Sequence, residues 1–170
     1  LKPSKYIFLR EVSGVSLDYR HMIEGQLAEI CPYLKDMGID LVLSLENKSL
    51  KRKFEDQCII LNEPVSDIHS LMHYALMTIS SGDTMARESC LVGTPSIYTG
   101  GLKISVNDKL EEKQCLFLVE PGKTDLVLET IQHIIENNVK KKTEKMIKEA
   151  IKTEWEDTTQ IIIDNLMDYQ

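Results

Sequence analysis

The sequence predicts a doubly wound α/β fold: a parallel sheet of about six strands with helices on both faces. Three observations carry that expectation. Short runs at residues 6–9, 40–45, 58–61, 76–80 and 115–119 are apolar along most of their length instead of alternating, as strands buried on both faces are. Segments of helical period stand between them. Glycine and proline mark the joints, as in Gly93-Thr94-Pro95, where a left-handed residue ends a helix and a residue without an N–H opens the next strand.

Each element follows in order. Residues 6–9 (Tyr-Ile-Phe-Leu) are the first strand, followed by a loop containing Gly14 and a helix expected over 19–37. Gly38 closes that helix, and residues 40–45 form the second strand. A short charged helix near 49–55 precedes the third strand, 58–61. After the loop Asn62-Glu-Pro-Val, Ser66 or Asp67 caps a helix over 68–74. The fourth strand, 76–80, feeds a polar turn and a helix with Asp83 or Thr84 as its cap; a fifth strand opens at Pro95. Then come a loop at Gly100-Gly101, a helix near 108–112, the sixth strand 115–119, and a helix over 125–137 reached through Pro121-Gly122. One last helix is expected from 142 to 168, in a terminal helical segment 140–170.

Composition bounds the function. The chain has 170 residues, 42% hydrophobic and 28% charged, enough for one domain with a real core. It opens at Leu1 rather than Met, as a piece of a longer protein would. No apolar run is long enough to span a bilayer and no signal-peptide pattern is present. Net charge is −7 and the basic residues are scattered apart from Lys140-Lys-Lys142, which argues against a nucleic-acid groove. That run is read as solvated. Cys31, Cys58, Cys90 and Cys115 are widely spaced in apolar segments, so they read as reduced thiols of a cytoplasmic protein, with no zinc site and no disulfide framework.

The turn Ser80-Ser81-Gly82-Asp83-Thr84 is the most informative stretch. A strand-to-helix turn aims backbone N–H groups and the positive end of the helix dipole at one point, which suits a phosphate; an ordinary capped turn is the simpler alternative. Topology favours the ligand. With strand order 3-2-1-4-5-6, ligands lie where the order reverses, between the loops after strands one and four. The first of these, residues 10–16, carries Arg10; the second is residues 80–84. Glu88 lies one turn beyond Thr84 on the same side of the helix and could accept from sugar hydroxyls, or serve only as a solvated partner of Arg87.

These residues carry a resemblance. The run from Ser81 through Glu88 to Gly93-Thr94-Pro95 is similar to the signature of the carboxy-terminal domains of GT-B glycosyltransferases. It is nearest in style to the non-hydrolysing UDP-N-acetylglucosamine 2-epimerases. The chain also resembles an uncharacterised prokaryotic group, the domain of unknown function 354 family, at Tyr6-Ile-Phe-Leu-Arg10, at residues 68–75 and through residues 82–88. The likeness covers roughly residues 6–99. It implies a single Rossmann-like domain, 1–170, that forms the carboxy-terminal, nucleotide-sugar-binding half of a two-domain enzyme, a glycosyltransferase or a sugar-nucleotide-modifying one. The nucleotide would be of the UDP type. The turn Ser81, Gly82, Asp83 and Thr84 would then hold the diphosphate and Glu88 the ribose. The loop after strand three, with Pro64 and Val65, would approach the base, and Gly100 and Gly101 the sugar. No cofactor is implied, and the isolated half is expected to bind without turnover. Two departures stand out: Asp83 replaces a glycine, so either its charge is offset by Arg10 or by capping backbone donors or the site binds something less anionic, and the epimerases' histidine after strand one has no counterpart. A non-catalytic binding or assembly module that kept the fold is the alternative.

Other constellations are weaker. His69 and His73 share a helical face without the glutamate of a zincin motif, so one packs on the sheet and the other is solvated. His21 and Glu24, at helical spacing, could reach the loop after strand one, though a plain surface pair is the simpler reading. Neither a Gly-x-Ser-x-Gly elbow nor a Gly-x-Gly-x-x-Gly fingerprint occurs. In the last helix Ile147, Ile151, Trp155, Ile162, Leu166 and Met167 form one apolar stripe. Its first half is expected on the sheet of its own domain; the rest could meet the missing amino-terminal domain or a second copy in a homodimer.

Overall fold

The computed structural model describes residues 1–14, 22–62 and 64–167. Its centre is a six-stranded sheet in the order β3-β2-β1-β4-β5-β6, every neighbouring pair parallel. The strands are β1 (Tyr6–Glu11), β2 (Asp40–Leu45), β3 (Ile59–Ile60), β4 (Met77–Ser80), β5 (Ser96–Tyr98) and β6 (Leu116–Leu118). The helices are α1 (Cys31–Asp36), α2 (Lys51–Phe54), α3 (Ile68–Tyr74), α4 (Asp83–Leu91), α5 (Ser105–Glu112), α6 (Thr124–Glu136), α7 (Val139–Thr153) and α8 (Thr158–Met167). Order reverses between β1 and β4, whose register sets Arg10 beside Ser80.

The unbroken apolarity of the strands has its expected cause. On β1, Ile7 and Leu9 join a core with Leu43, Ile79 and Ile97 and with Leu34 of α1 and Ile131 of α6. Tyr6 and Phe8 face the other way, into a cluster with Val42 and Met72 of α3. All four side chains are buried, so each contributes about 1.5–3 kcal/mol of transfer free energy to holding a helical layer on its own face. The same two-residue alternation sends Arg10 and Glu11 to opposite faces.

Several elements differ from expectation. The helix expected over 19–37 is a 3-10 turn, Gln26–Glu29, and then α1; residues 15–21, including His21, lie outside the described residues. Gly25 at φ 76° and Pro32 in the first turn of α1 explain the break. The single run expected from 142 to 168 is two helices. Asp157 stops it, its carboxylate accepting from Thr159 N–H at 2.9 Å and Gln160 N–H at 3.2 Å as a cap does. Of the apolar stripe, Ile147 is buried and Trp155 half-buried, whereas Ile151, Ile162, Leu166 and Met167 are exposed.

The run Lys140-Lys-Lys142 is not simply solvated. Lys140 is only 6% exposed. Its ammonium donates to His73 O at 2.6 Å and Gly93 O at 3.2 Å, contacts Thr94 Oγ1, and lies 3.3 Å from a Glu144 carboxylate oxygen. These acceptors gather where α3 and α4 end, so a buried cation meets the negative ends of two helices. Among the described residues, no helix is long and apolar enough to cross a membrane.

Candidate functional site

The loops at the carboxyl edge of the sheet are tied together by buried polar groups. Ser81, just past β4, is the central knot: its N–H donates to Arg10 O at 2.9 Å, and its hydroxyl accepts from Val12 N–H at 3.0 Å. The same hydroxyl donates to the Glu11 carboxylate at 3.2 Å. Glu11 is fully buried at the end of β1 and also accepts from Leu27 N–H at 3.2 Å. Burial pushes its carboxyl up to about 7, against the lowering pull of the N–H groups of Leu27 and Gly25 and the Ser81 hydroxyl. Gln26 extends the ties across the sheet, donating to Thr99 O at 3.0 Å and accepting from Gly122 N–H at 2.9 Å. The ends of β1, β4, β5 and β6 are therefore one connected frame.

From this frame α4 springs at the point of order reversal. Its cap position is Gly82, not Asp83 or Thr84, so the cap residue has no side chain to offer the helix. Gly82 N–H is engaged by the Ser80 hydroxyl at 3.1 Å. What the turn presents outward is therefore the first turn of α4 itself, the helix end at which an anion is stabilised. Asp83 lies inside that turn, and its carboxylate pairs with Arg87 at 2.7 Å. Arg87 supplies an offsetting charge. The pair leaves the start of α4 without the net repulsion that a bare carboxylate would exert on an anion.

Thr84 and Glu88 both line one open cavity of about 800 Å³, together with Arg87, Val106, Lys109 and Trp155. The one-turn spacing thus brings them to the same side, as expected. Glu88 does not pair with Arg87; its carboxylate lies 3.5 Å from His69 Nε2 at the surface. His73 points elsewhere, with Nδ1 2.8 Å from Val92 O, so that nitrogen carries the proton. The two histidines do not converge.

The other expected site residues are spread along the same edge. Arg10 ends up within β1 instead of in the loop after it, donating to the Ser44 hydroxyl at 2.7 Å and pairing with Glu46 across β2. Gly100 is buried against the seam: a Cβ there would stand 2.2 Å from Ser81 O, so only glycine permits the approach of the β5 loop. Gly101, at φ 77°, is exposed. Pro64 is exposed and Val65 half-buried in the loop after β3; their neighbour Glu63 lies outside the described residues. Sequence reasoning missed Glu11, Gln26 and Arg87. Arg87 had a signal, its i,i+4 spacing from Asp83; Glu11 and Gln26 had none, because only the register and the loop fold bury them.

Comparison with solved structures gives the same architecture. The chain aligns with UDP-GlcNAc 2-epimerase from Neisseria meningitidis bound to UDP-GlcNAc over 99% of its own length and 45% of that chain, at TM-score 0.68 and 16% identity. Os79 from O. sativa, in complex with U2F and a trichothecene, aligns over 99% of this chain and 42% of the other, at TM-score 0.66 and 15% identity. E. coli heptosyltransferase WaaC with ADP aligns over 78% and 45%, at TM-score 0.59 and 16% identity. The chain therefore has the Rossmann-like α/β fold that these structures share. The chain spans less than half of each. No curated protein matches it by sequence. Residues 4–170 match the model described as protein of unknown function (DUF354), and the chain belongs to that family.

Proposed function

We propose that this domain binds a nucleoside-diphosphate sugar, of the UDP type, as the donor half of a GT-B-like glycosyltransferase or sugar-nucleotide-modifying enzyme. One observation carries the reading: the first turn of α4, with a glycine at its cap, opens at the order reversal of the sheet, with Thr84 and Glu88 on one cavity. The N–H groups of that turn hold the diphosphate, and Glu88 accepts from the ribose. Gly100 and Gly101 admit the sugar, while Pro64 and Val65 approach the base. Arg10, committed to Glu46, orients the loop after β1 instead of touching the phosphates. On this reading residues 1–170 are one domain and the cleft closes against a second, amino-terminal domain, which supplies the base that activates an acceptor. The exposed apolar residues of α8 then meet that domain or a second copy. Four free thiols suit a cytoplasmic location.

Calorimetric titration of the 170-residue chain with UDP tests the reading. The wild type should bind, and Glu88→Gln should weaken binding about tenfold, or about 1.4 kcal/mol. Thr84→Ala should weaken it less, since the backbone there does most of the holding. Absence of heat at millimolar UDP and UDP-sugar would overturn the reading and leave the binding or assembly module.

A further inference from the structure

The four thiols form two pairs in different surroundings. Cys31 opens α1 and Cys58 stands just before β3, with their Sγ atoms 3.7 Å apart. Cys90, in α4, and Cys115, just before β6, act on each other's ionisation and are both fully buried, the Cys90 thiol donating to Cys115 O at 3.1 Å. Only the first pair reaches solvent. Cys58 is half-buried and lines a surface groove of about 220 Å³ with Lys35 and Asp56. Lys35 is fixed at this groove by a 2.8 Å bond from its ammonium to Asp56 O.

The electrostatics divide the labour within that pair. The contact with the Cys31 thiol and the positive charge of Lys35 together lower Cys58 against the opposing effect of burial. Cys31 is pushed up by the same contact, by burial and by the charge of Glu11. The member that meets solvent is thus the one that ionises, which is what a reactive thiol requires.

We propose that Cys31 and Cys58 are a redox-active dithiol that closes to a reversible disulfide when a small-molecule disulfide such as oxidised glutathione reaches the groove. The Cys58 thiolate attacks one sulfur of the reagent, forming a mixed disulfide and releasing one glutathione thiolate. Cys31 then gives its proton to a thiolate or to water and attacks Cys58 Sγ. The Cys31–Cys58 bond forms as the second glutathione leaves, so the two electrons lost by the protein reduce one disulfide to two thiols. The sulfurs must close from 3.7 Å to about 2.05 Å. The two-residue strand β3 is an edge strand, where little pairing resists that movement. Closure has a consequence inside the fold. The Cys31 thiol donates to Leu27 O at 3.1 Å, and Leu27 N–H is held by Glu11. Oxidation removes that thiol donor one peptide away from the Ser81–Glu11 knot.

The reduced 170-residue chain is incubated with oxidised glutathione. Free thiols are then alkylated, and the product is read by intact mass and peptide mapping. The expected product has lost two hydrogens, carries a Cys31–Cys58 linked peptide and two alkylated thiols, and reverts with dithiothreitol. Cys31→Ser should stop at a stable glutathione adduct on Cys58, and Cys90→Ser should leave the bridge unchanged. Four alkylated thiols after oxidation, a Cys90–Cys115 link, or a wild-type chain that keeps glutathione on Cys58 without bridging would each overturn the proposal. The wild-type readout alone decides it, so a variant that fails to fold does not matter, and the result is independent of nucleotide binding.

Discussion

The two edges of the sheet each bury one charge, and they do so as mirror images. At the carboxyl edge the Glu11 carboxylate collects backbone N–H groups and the Ser81 hydroxyl. At the amino edge the Lys140 ammonium collects the carbonyls of His73 and Gly93. In a parallel sheet wound with helices, helix starts gather at one edge and helix ends at the other, so each charge sits in the field that favours it. The difference lies in titration. Burial raises Glu11 to about 7, where a small pH change alters its charge, whereas Lys140, lowered by burial and supported by Glu144, has Glu144 beside it. The edge with the candidate site is the tunable one; the other is a fixed clasp.

Breaking the clasp should have the largest effect. Lys140→Met strands the carbonyls of His73 and Gly93 and the Glu144 carboxylate, and should cost about 3 kcal/mol in urea denaturation. A loss under about 1 kcal/mol would show that water replaces the ammonium there. The opposite edge is probed by pH. The folded Glu11 carboxyl holds its proton more tightly than the unfolded one, so its neutral form favours folding. That contribution is complete below about 4.5 and is lost as pH rises through about 7. The wild type should therefore lose about 2.5 kcal/mol across that window relative to Glu11→Gln, whose profile should be flatter. Parallel profiles for the two proteins would remove Glu11 from the comparison. Asp83→Asn should have the smallest effect, about 0.5 kcal/mol, through its i,i+4 pair with Arg87. Its sharper readout is affinity for UDP, which should rise as a carboxylate leaves the helix start.

How much of this was legible in the sequence depended on the range of the forces involved. β2 and α3 fall where residues 40–45 and 68–74 place them, because an apolar run after Gly38 and an Asp67 cap are local signals. The alternation of elements gave the doubly wound class, and the commonest strand order of that class is the one found. The α4 turn and Glu88 were legible too, as a spacing. Local breaks were overlooked where their signals were present: Pro32 before a helical run, and Asp157 before Gln160. Glu11, Gln26, Lys140 and the thiol pairs were illegible for another reason. Most of their partners lie far along the chain, Leu27 16 residues from Glu11 and Gly122 96 from Gln26, and only the assembled sheet brings them together.

The place of β1 at the centre of the sheet also has a consequence in time. It pairs with β2 on one side and β4 on the other, but β4 follows it by about 70 residues, roughly 4–14 s of synthesis at about 5–20 residues per second. For those seconds the Tyr6-Ile-Phe-Leu9 strand offers an open apolar edge of the kind that recruits stray strands. A newborn chain is therefore most vulnerable to aggregation before Met77 emerges, and the arrival of β4 both completes the frame of the site and ends that exposure.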